Sequence, residues 1–156
     1  MQEKVIRLTG SELTISQIKE IAFENAKVEV DAEAMDKVRK GRELIFELDK
    51  RGVAVYGLNT GVGWNKDKVV YADRYDAYNK NLLRSHMIGV GPECSIPETR
   101  TIMAVRLNGF LCGHTGVAPE IVQYYVEFLN RGVHPVMKSR GSVGEADIAT
   151  LPAIGL

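Results

Sequence analysis

At 156 residues, 45% hydrophobic and 26% charged, the chain has the composition of an ordinary soluble globular domain with a core of its own. Lys plus Arg equals Asp plus Glu, 20 of each, so the formal net charge is zero and nothing electrostatic favours nucleic acid or an anionic membrane as partner. No apolar run approaches the roughly 20 residues of a membrane span, and no apolar stretch follows the charged start Met1-Gln2-Glu3-Lys4 as a secretory signal requires. Cys94 and Cys112 match no metal spacing, so no metal is expected; two unpaired cysteines suit a reducing cytoplasm.

Taken in chain order, most of the periodicity is helical. Ser16 is placed to cap a short helix carrying Ile18, Ile21 and Ala22 on one face. Asp31 is placed to cap a longer helix whose apolar stripe is Met35, Val38, Ile45 and Leu48, ended by Arg51-Gly52. Val53-Ala54-Val55-Tyr56 reads as a short extended run, and Gly57, Gly61 and Gly63 then punctuate a loop. Residues 73–86 are weakly helical. Ser95-Ile96-Pro97-Glu98 is a capping box that opens a helix running to about Cys112. Pro119 opens another, with Val122, Tyr125, Val126 and Leu129 on one face and Asn130-Arg131-Gly132 closing it. A loop rich in Gly, Val and Ser leads to Gly144, after which helical character resumes. The finish at Ile154-Gly155-Leu156 is so apolar that a longer polypeptide or a second chain is expected to complete the fold.

Three segments carry candidate chemistry. In Tyr56-Gly57-Leu58-Asn59-Thr60-Gly61-Val62-Gly63, three glycines let the backbone turn sharply and approach a ligand closely, with a phenol at the loop's start. Spacing alone equally fits a tight turn with a packed aromatic, and no Gly-Lys-Ser/Thr follows, so this is not a phosphate loop. His86, in Arg84-Ser85-His86, suits either a donor to a substrate carboxylate or a structural helix-end imidazole. Gly141-Ser142-Val143-Gly144-Glu145-Ala146-Asp147 is a glycine-rich turn before a helix, not a nucleophile elbow, because Ser142 directly follows the first Gly.

At these segments the chain resembles the aromatic amino acid lyase family, typified by histidine ammonia-lyase. Six motifs fall in family order: the early Leu-Thr segment, Val55 to Gly61, Arg84-Ser85-His86, Gly116-Val117-Ala118-Pro119-Glu120, Leu129 to Pro135, and Gly141-Ser142-Val143-Gly144. The resemblance implies a mainly α fold, the N-terminal portion of the histidine ammonia-lyase-like helical fold, with short extended segments and Gly-rich active-site loops. Family members are about three times longer and tetrameric, so it also implies a partner: a C-terminal portion of the same enzyme or a second chain, in a homotetrameric or heteromeric assembly. By residue, it implies Tyr56 as the acid or base of an elimination and His86 as a substrate-pocket residue. Asn59 and Gly61 belong to the loop that places the tyrosine, and Gly144 joins the substrate-binding set.

One departure stands out. After Gly-Ser-Val-Gly the family normally reads Ala-Ser-Gly-Asp-Leu, a tripeptide that cyclises and dehydrates to a methylidene-imidazolone (MIO) electrophile. Here the chain reads Glu145-Ala146-Asp147-Ile148, with no serine to dehydrate, so no MIO cofactor is expected. Elimination then needs a substrate whose nitrogen is already activated, such as a trimethylammonium that departs as trimethylamine. The ergothionase branch of the family fits that description, acting on ergothioneine to give thiol-urocanate. Glu145 then occupies the vacated space, as a catalytic group facing the quaternary nitrogen or the imidazole ring, or as a first-turn helix carboxylate. The other expectations are a non-catalytic or regulatory subunit and an ordinary histidine ammonia-lyase.

Overall fold

The structure is a computed structural model that describes residues 4–142, 144 and 148–155. It is mainly helical, with a few short strands, and divides into two compact units. One comprises Met1–Leu44 with Ser95–Pro135, the other Ile45–Cys94 with Val136–Leu156.

In the first unit, β1 (Val5–Leu8) and β2 (Lys27–Val30) pair in parallel, in register Val5 to Lys27 through Leu8 to Val30. Parallel strands need a crossover, and α1 (Ile15–Phe23) supplies it. This pair is absent from the sequence-based reading. Alternation along β1 buries Ile6 and Leu8, which with Val28 face the core. The expected cap at Ser16 is corrected to Thr14: its hydroxyl accepts from the Gln17 amide at 3.2 Å while the Gln17 side chain accepts from the Thr14 amide at 2.9 Å. That reciprocal box satisfies two donors at once, leaving Ser16 inside the first turn.

Helix α2 (Ala32–Lys50) starts as expected at Asp31, whose carboxylate accepts from the amides of Glu33 and Ala34. The Ser95–Glu98 box opens the fourth helix in the chain, Ile96–Phe110, and Gly132 closes the fifth, Pro119–Arg131, in the left-handed region at φ 68°. Between them the core holds Met103, Ala104, Leu107, Val122 and Leu129, all buried. Arg100 is only 1% exposed; among the described residues its Nη2 has no hydrogen-bond partner and no ion pair joins it to a carboxylate. Instead its guanidinium donates to the carbonyls of Ile21 at 2.8 Å and Leu129 at 2.9 Å, satisfying orphan acceptors near the C-termini of two helices. The Asn130 side chain bonds both the amide and the carbonyl of Val28, pairing the strand edge as a neighbouring strand would.

In the second unit, α3 (Tyr75–His86) follows a 3-10 turn at Ala72–Arg74. Strands β3 (Val90–Glu93) and β4 (Lys138–Arg140) pair antiparallel, Val90 opposite Arg140 and Glu93 opposite Lys138, and Leu151–Ile154 forms a last 3-10 turn. With these named, the helices Ile96–Phe110 and Pro119–Arg131 are α4 and α5. The helical character expected after Gly144 falls partly on residues 145–147, which lie outside the described residues; beyond them the regular element is that 3-10 turn. No helix among the described residues is long and apolar enough to cross a membrane.

Candidate active-site loops

The expected extended run Val53–Tyr56 is not a strand but the entry to a self-contained turn. Its peptide groups find their partners locally, which removes the need for a neighbouring strand. The Val53 amide donates to the Leu48 carbonyl, and the Val55 carbonyl accepts from the amides of Leu58 and Asn59. Asn59 does most of the remaining work: its side-chain oxygen accepts from the Val55 amide at 2.7 Å. Its amide nitrogen donates to the Val53 carbonyl at 2.9 Å and to the Asp49 carboxylate at 2.8 Å. Further on, the Gly61 amide donates to Lys68 and the Val70 amide to Asn59, with Thr60 bridged to Val69. Gly61 is there because a Cβ at that position would lie 2.3 Å from the Asn65 carbonyl oxygen.

Tyr56 is 65% exposed, and its phenolic oxygen accepts from the Gly63 amide at 2.8 Å. That bond uses one lone pair and leaves the phenol's own proton unspent. Two further tyrosines stand by, three residues apart and so on one side of α3. Tyr75 donates to the Asp49 carboxylate at 2.8 Å, and burial, then that carboxylate, pushes its pKa up to about 12. Tyr78 has a buried hydroxyl with no partner among the described residues; burial raises its pKa, and so does the proximity of Tyr56. The sequence reading passed over Asp49, Tyr75 and Tyr78, although the Tyr75/Tyr78 spacing was the available signal.

His86 ends α3 half-buried. Its Nδ1 lies 2.8 Å from the Leu82 carbonyl, which can only accept, so Nδ1 carries the hydrogen and Nε2 is the acceptor of the neutral ring. Among the described residues no hydrogen bond joins His86 to Tyr56; the two belong to one unit but meet no common partner.

The third segment is carried by the β3–β4 pair. The Cys94 amide donates to Met137, the Ser139 hydroxyl to Pro92 at 3.0 Å, and Lys138 pairs with Glu93 at 3.1 Å. Beside this pair runs a groove of about 470 Å³ lined by Ile88, Val90, Ser139, Arg140, Gly141 and Ser142. Gly144, exposed at φ 95°, donates its amide to the Ser142 hydroxyl at 3.3 Å. Glu145, the other expected catalytic group, lies outside the described residues, as do Val143, Ala146 and Asp147. Among the described residues no group of three His, Cys, Asp or Glu is placed to hold a metal.

A glycine-rich turn that presents a phenol and a helix end that presents an imidazole, in a mainly helical chain, match a known class. The aromatic amino acid lyase profile matches residues 13–156, and the chain belongs to that family. A curated relative, histidine ammonia-lyase of Chloroflexus aurantiacus, is 37% identical; the match covers the whole of this chain and 32% of the relative. Histidine ammonia-lyase of Treponema denticola is 34% identical over the whole chain and 31% of its own length. Among solved structures, ergothionase of Treponema denticola, an ergothioneine-degrading enzyme, superposes with a TM-score of 0.95 at 43% identity, over 98% of this chain and 31% of that one. Tyrosine aminomutase of Streptomyces globisporus gives 0.89 at 34% identity, over 96% and 28%. The chain thus spans about a third of the length of the relatives it matches.

The electrophile usual in this family does not fit the residues present. Its formation needs a serine to dehydrate, and from Gly144 the chain reads Glu145-Ala146-Asp147-Ile148.

Proposed function

We propose that this chain is the N-terminal portion of a carbon–nitrogen lyase that carries out α,β-elimination on a histidine-derived betaine, without an MIO electrophile. The observation that carries the reading is the replacement of Ala-Ser-Gly by Glu145-Ala146, in a chain that keeps the Tyr56 loop and His86. A neutral α-amino group is a poor leaving group, and the family electrophile normally compensates for that. A quaternary ammonium departs as a neutral amine unaided. The likeness to ergothionase, at 43% identity, supports ergothioneine as the substrate.

In this reading the phenolic oxygen of Tyr56, having first given up its own proton to solvent, takes a proton from the β carbon. The C–H electron pair becomes the Cα=Cβ bond, the C–N bond breaks, and trimethylamine leaves with that bond's electrons to give thiol-urocanate. The Gly63 amide holds the phenolic oxygen in place, His86 offers Nε2 to the substrate, and Glu145 faces the quaternary nitrogen or the ring. Gly144 keeps the pocket wall free of a side chain, and Gly61 lets the turn that carries Tyr56 close against Asn65. The remaining two thirds of the family length, from the same polypeptide or a second chain, completes the pocket in a tetrameric or heteromeric assembly. That portion also covers apolar side chains such as Trp64, now 98% exposed. Free Cys94 and Cys112 accord with a reducing cytoplasm as its compartment.

The test is an elimination assay on the assembled enzyme, with ergothioneine and histidine offered separately. Trimethylamine and conjugated acrylate absorbance from ergothioneine, with histidine inert, is the expected result. Ammonia from histidine overturns the assignment in favour of an ammonia-lyase. Silence with every histidine derivative moves the chain to a non-catalytic subunit.

A further inference from the structure

Asp49, in the last turn of α2, and Tyr75, at the start of α3, meet at a single oxygen. Oδ1 of Asp49 accepts from the Tyr75 hydroxyl at 2.8 Å and from the Asn59 amide nitrogen at 2.8 Å. Asn59 makes its other bonds within the turn, donating to the Val53 carbonyl and accepting from the Val55 amide, so both of its amide hydrogens and one lone pair of its oxygen are engaged. Val55 is the residue immediately before Tyr56. The chain of bonds therefore runs from two helices, through one carboxylate and one amide, to the backbone that carries the candidate base.

We propose that Asp49 and Tyr75 are positioning residues for Tyr56: together they hold Asn59, and Asn59 fixes the turn on which the phenol sits. The inference rests on the reading of Tyr56 as the base. Geometry gives the physical reason. Tyr56 is exposed, and the Gly63 amide is its one hydrogen-bond partner among the described residues. Its direction is therefore set by the backbone of the turn, including the Gly63 amide, rather than by packing. Misplacing a reacting group by about 1 Å costs on the order of a hundredfold in rate. The Tyr75 phenol stays protonated through the working pH range, so it is a permanent donor to Asp49. The carboxylate is thereby kept oriented with one lone pair left for Asn59.

The experiment uses Asp49→Ala, Tyr75→Phe and Asp49→Asn in the assembled lyase, with Tyr56→Phe as reference. Asp49→Ala is expected to lower kcat by about ten- to a hundredfold with KM within about threefold, and Tyr75→Phe by less. Asp49→Asn keeps a carbonyl acceptor at the same place and is expected to restore most of the rate. Hydrogen exchange, which needs no substrate, is expected to quicken in residues 53–63 and stay unchanged in α5. Two outcomes overturn the proposal: kcat within twofold of wild type in Asp49→Ala and Tyr75→Phe while Tyr56→Phe is dead, or exchange in 53–63 unaffected by Asp49→Ala. If Tyr56→Phe itself turns over normally, the reading of the base falls. The exchange result then decides by itself whether the pair holds the turn.

Discussion

The two units of the chain are stabilised by different physics. Among the described residues, fifteen of the eighteen buried apolar side chains belong to the unit built on Met1–Leu44 and Ser95–Pro135. Two of its helices, α1 and α4, start at reciprocal capping boxes, and among the described residues its deeply buried cation, Arg100, donates to helix-terminal carbonyls. The other unit buries Met137, Ala149 and Ile154 and leaves Trp64, Tyr71, Tyr56 and Ile88 largely in solvent. It is held instead by side-chain-to-backbone hydrogen bonds around Asn59 and by glycines that admit close backbone approach. A packed unit tolerates few changes of volume, whereas a hydrogen-bonded unit tolerates exposed substitutions but responds to the loss of single polar partners. The expected site residues among those described, Tyr56, Asn59, Gly61, His86 and Gly144, fall in the second.

If that division is right, the largest effect is chemical and leaves the fold alone. Tyr56→Phe in the assembled enzyme is expected to lower kcat by about 10²–10⁴, the usual worth of a positioned acid or base. Its denaturation midpoint should match wild type, because the side chain is exposed and only accepts one bond. Turnover within tenfold of wild type removes Tyr56 from the mechanism. The mirror-image experiment is Leu107→Ala, at a fully buried position in α4. The cavity should cost about 2–5 kcal/mol of unfolding free energy. By contrast Trp64→Ala, despite the larger side chain, should stay within about 0.5 kcal/mol in the isolated chain. Equal losses at the two positions would erase the distinction between the units.

The same division explains what could be read from the sequence. Caps and helix faces are local, so Asp31, the Ser95–Glu98 box, Gly132 and the Val122/Leu129 face were legible from spacing alone. The β1–β2 pair was not: each strand has four residues, and the partners lie across a helix. Ser16 misleads because any hydroxyl before an apolar face looks like a cap; the partner that marks Thr14 as the cap is Gln17. At the candidate site, the Tyr56 loop and His86 are proposed through family resemblance. Asp49 is not, since its bonds to Asn59 and Tyr75 span 10 and 26 residues with no periodic signature. Resemblance points to the candidate base and is silent on what holds it.

A smaller effect tests the local half of that account. Ser95→Ala removes the hydroxyl that accepts from the Glu98 amide and should cost about 1 kcal/mol, measured as a shift in the denaturant midpoint. A loss under about 0.3 kcal/mol would mean that packing, not the cap, fixes the start of α4.

The smallest expected effect concerns pH, and it also belongs to the packed unit. His134 has a buried Nδ1 with no partner among the described residues. Burial first, and then the charge of Arg100, hold its pKa below the ordinary imidazole value of 6.5, against a smaller opposing effect from the Val133 backbone. The unfolded chain therefore takes up a proton before the folded chain does. The stability due to neutral His134 is complete above pH 6.5 and is lost as pH falls through its lower folded value. Glu98 does not confuse this window, because the hydrogen bonds from Ser95 hold its carboxyl below 4.5. Denaturant midpoints measured from pH 8 to pH 5 should fall more steeply for wild type than for His134→Gln, which cannot take up the proton. Parallel curves would mean that the imidazole takes up its proton equally readily in the folded and unfolded chains.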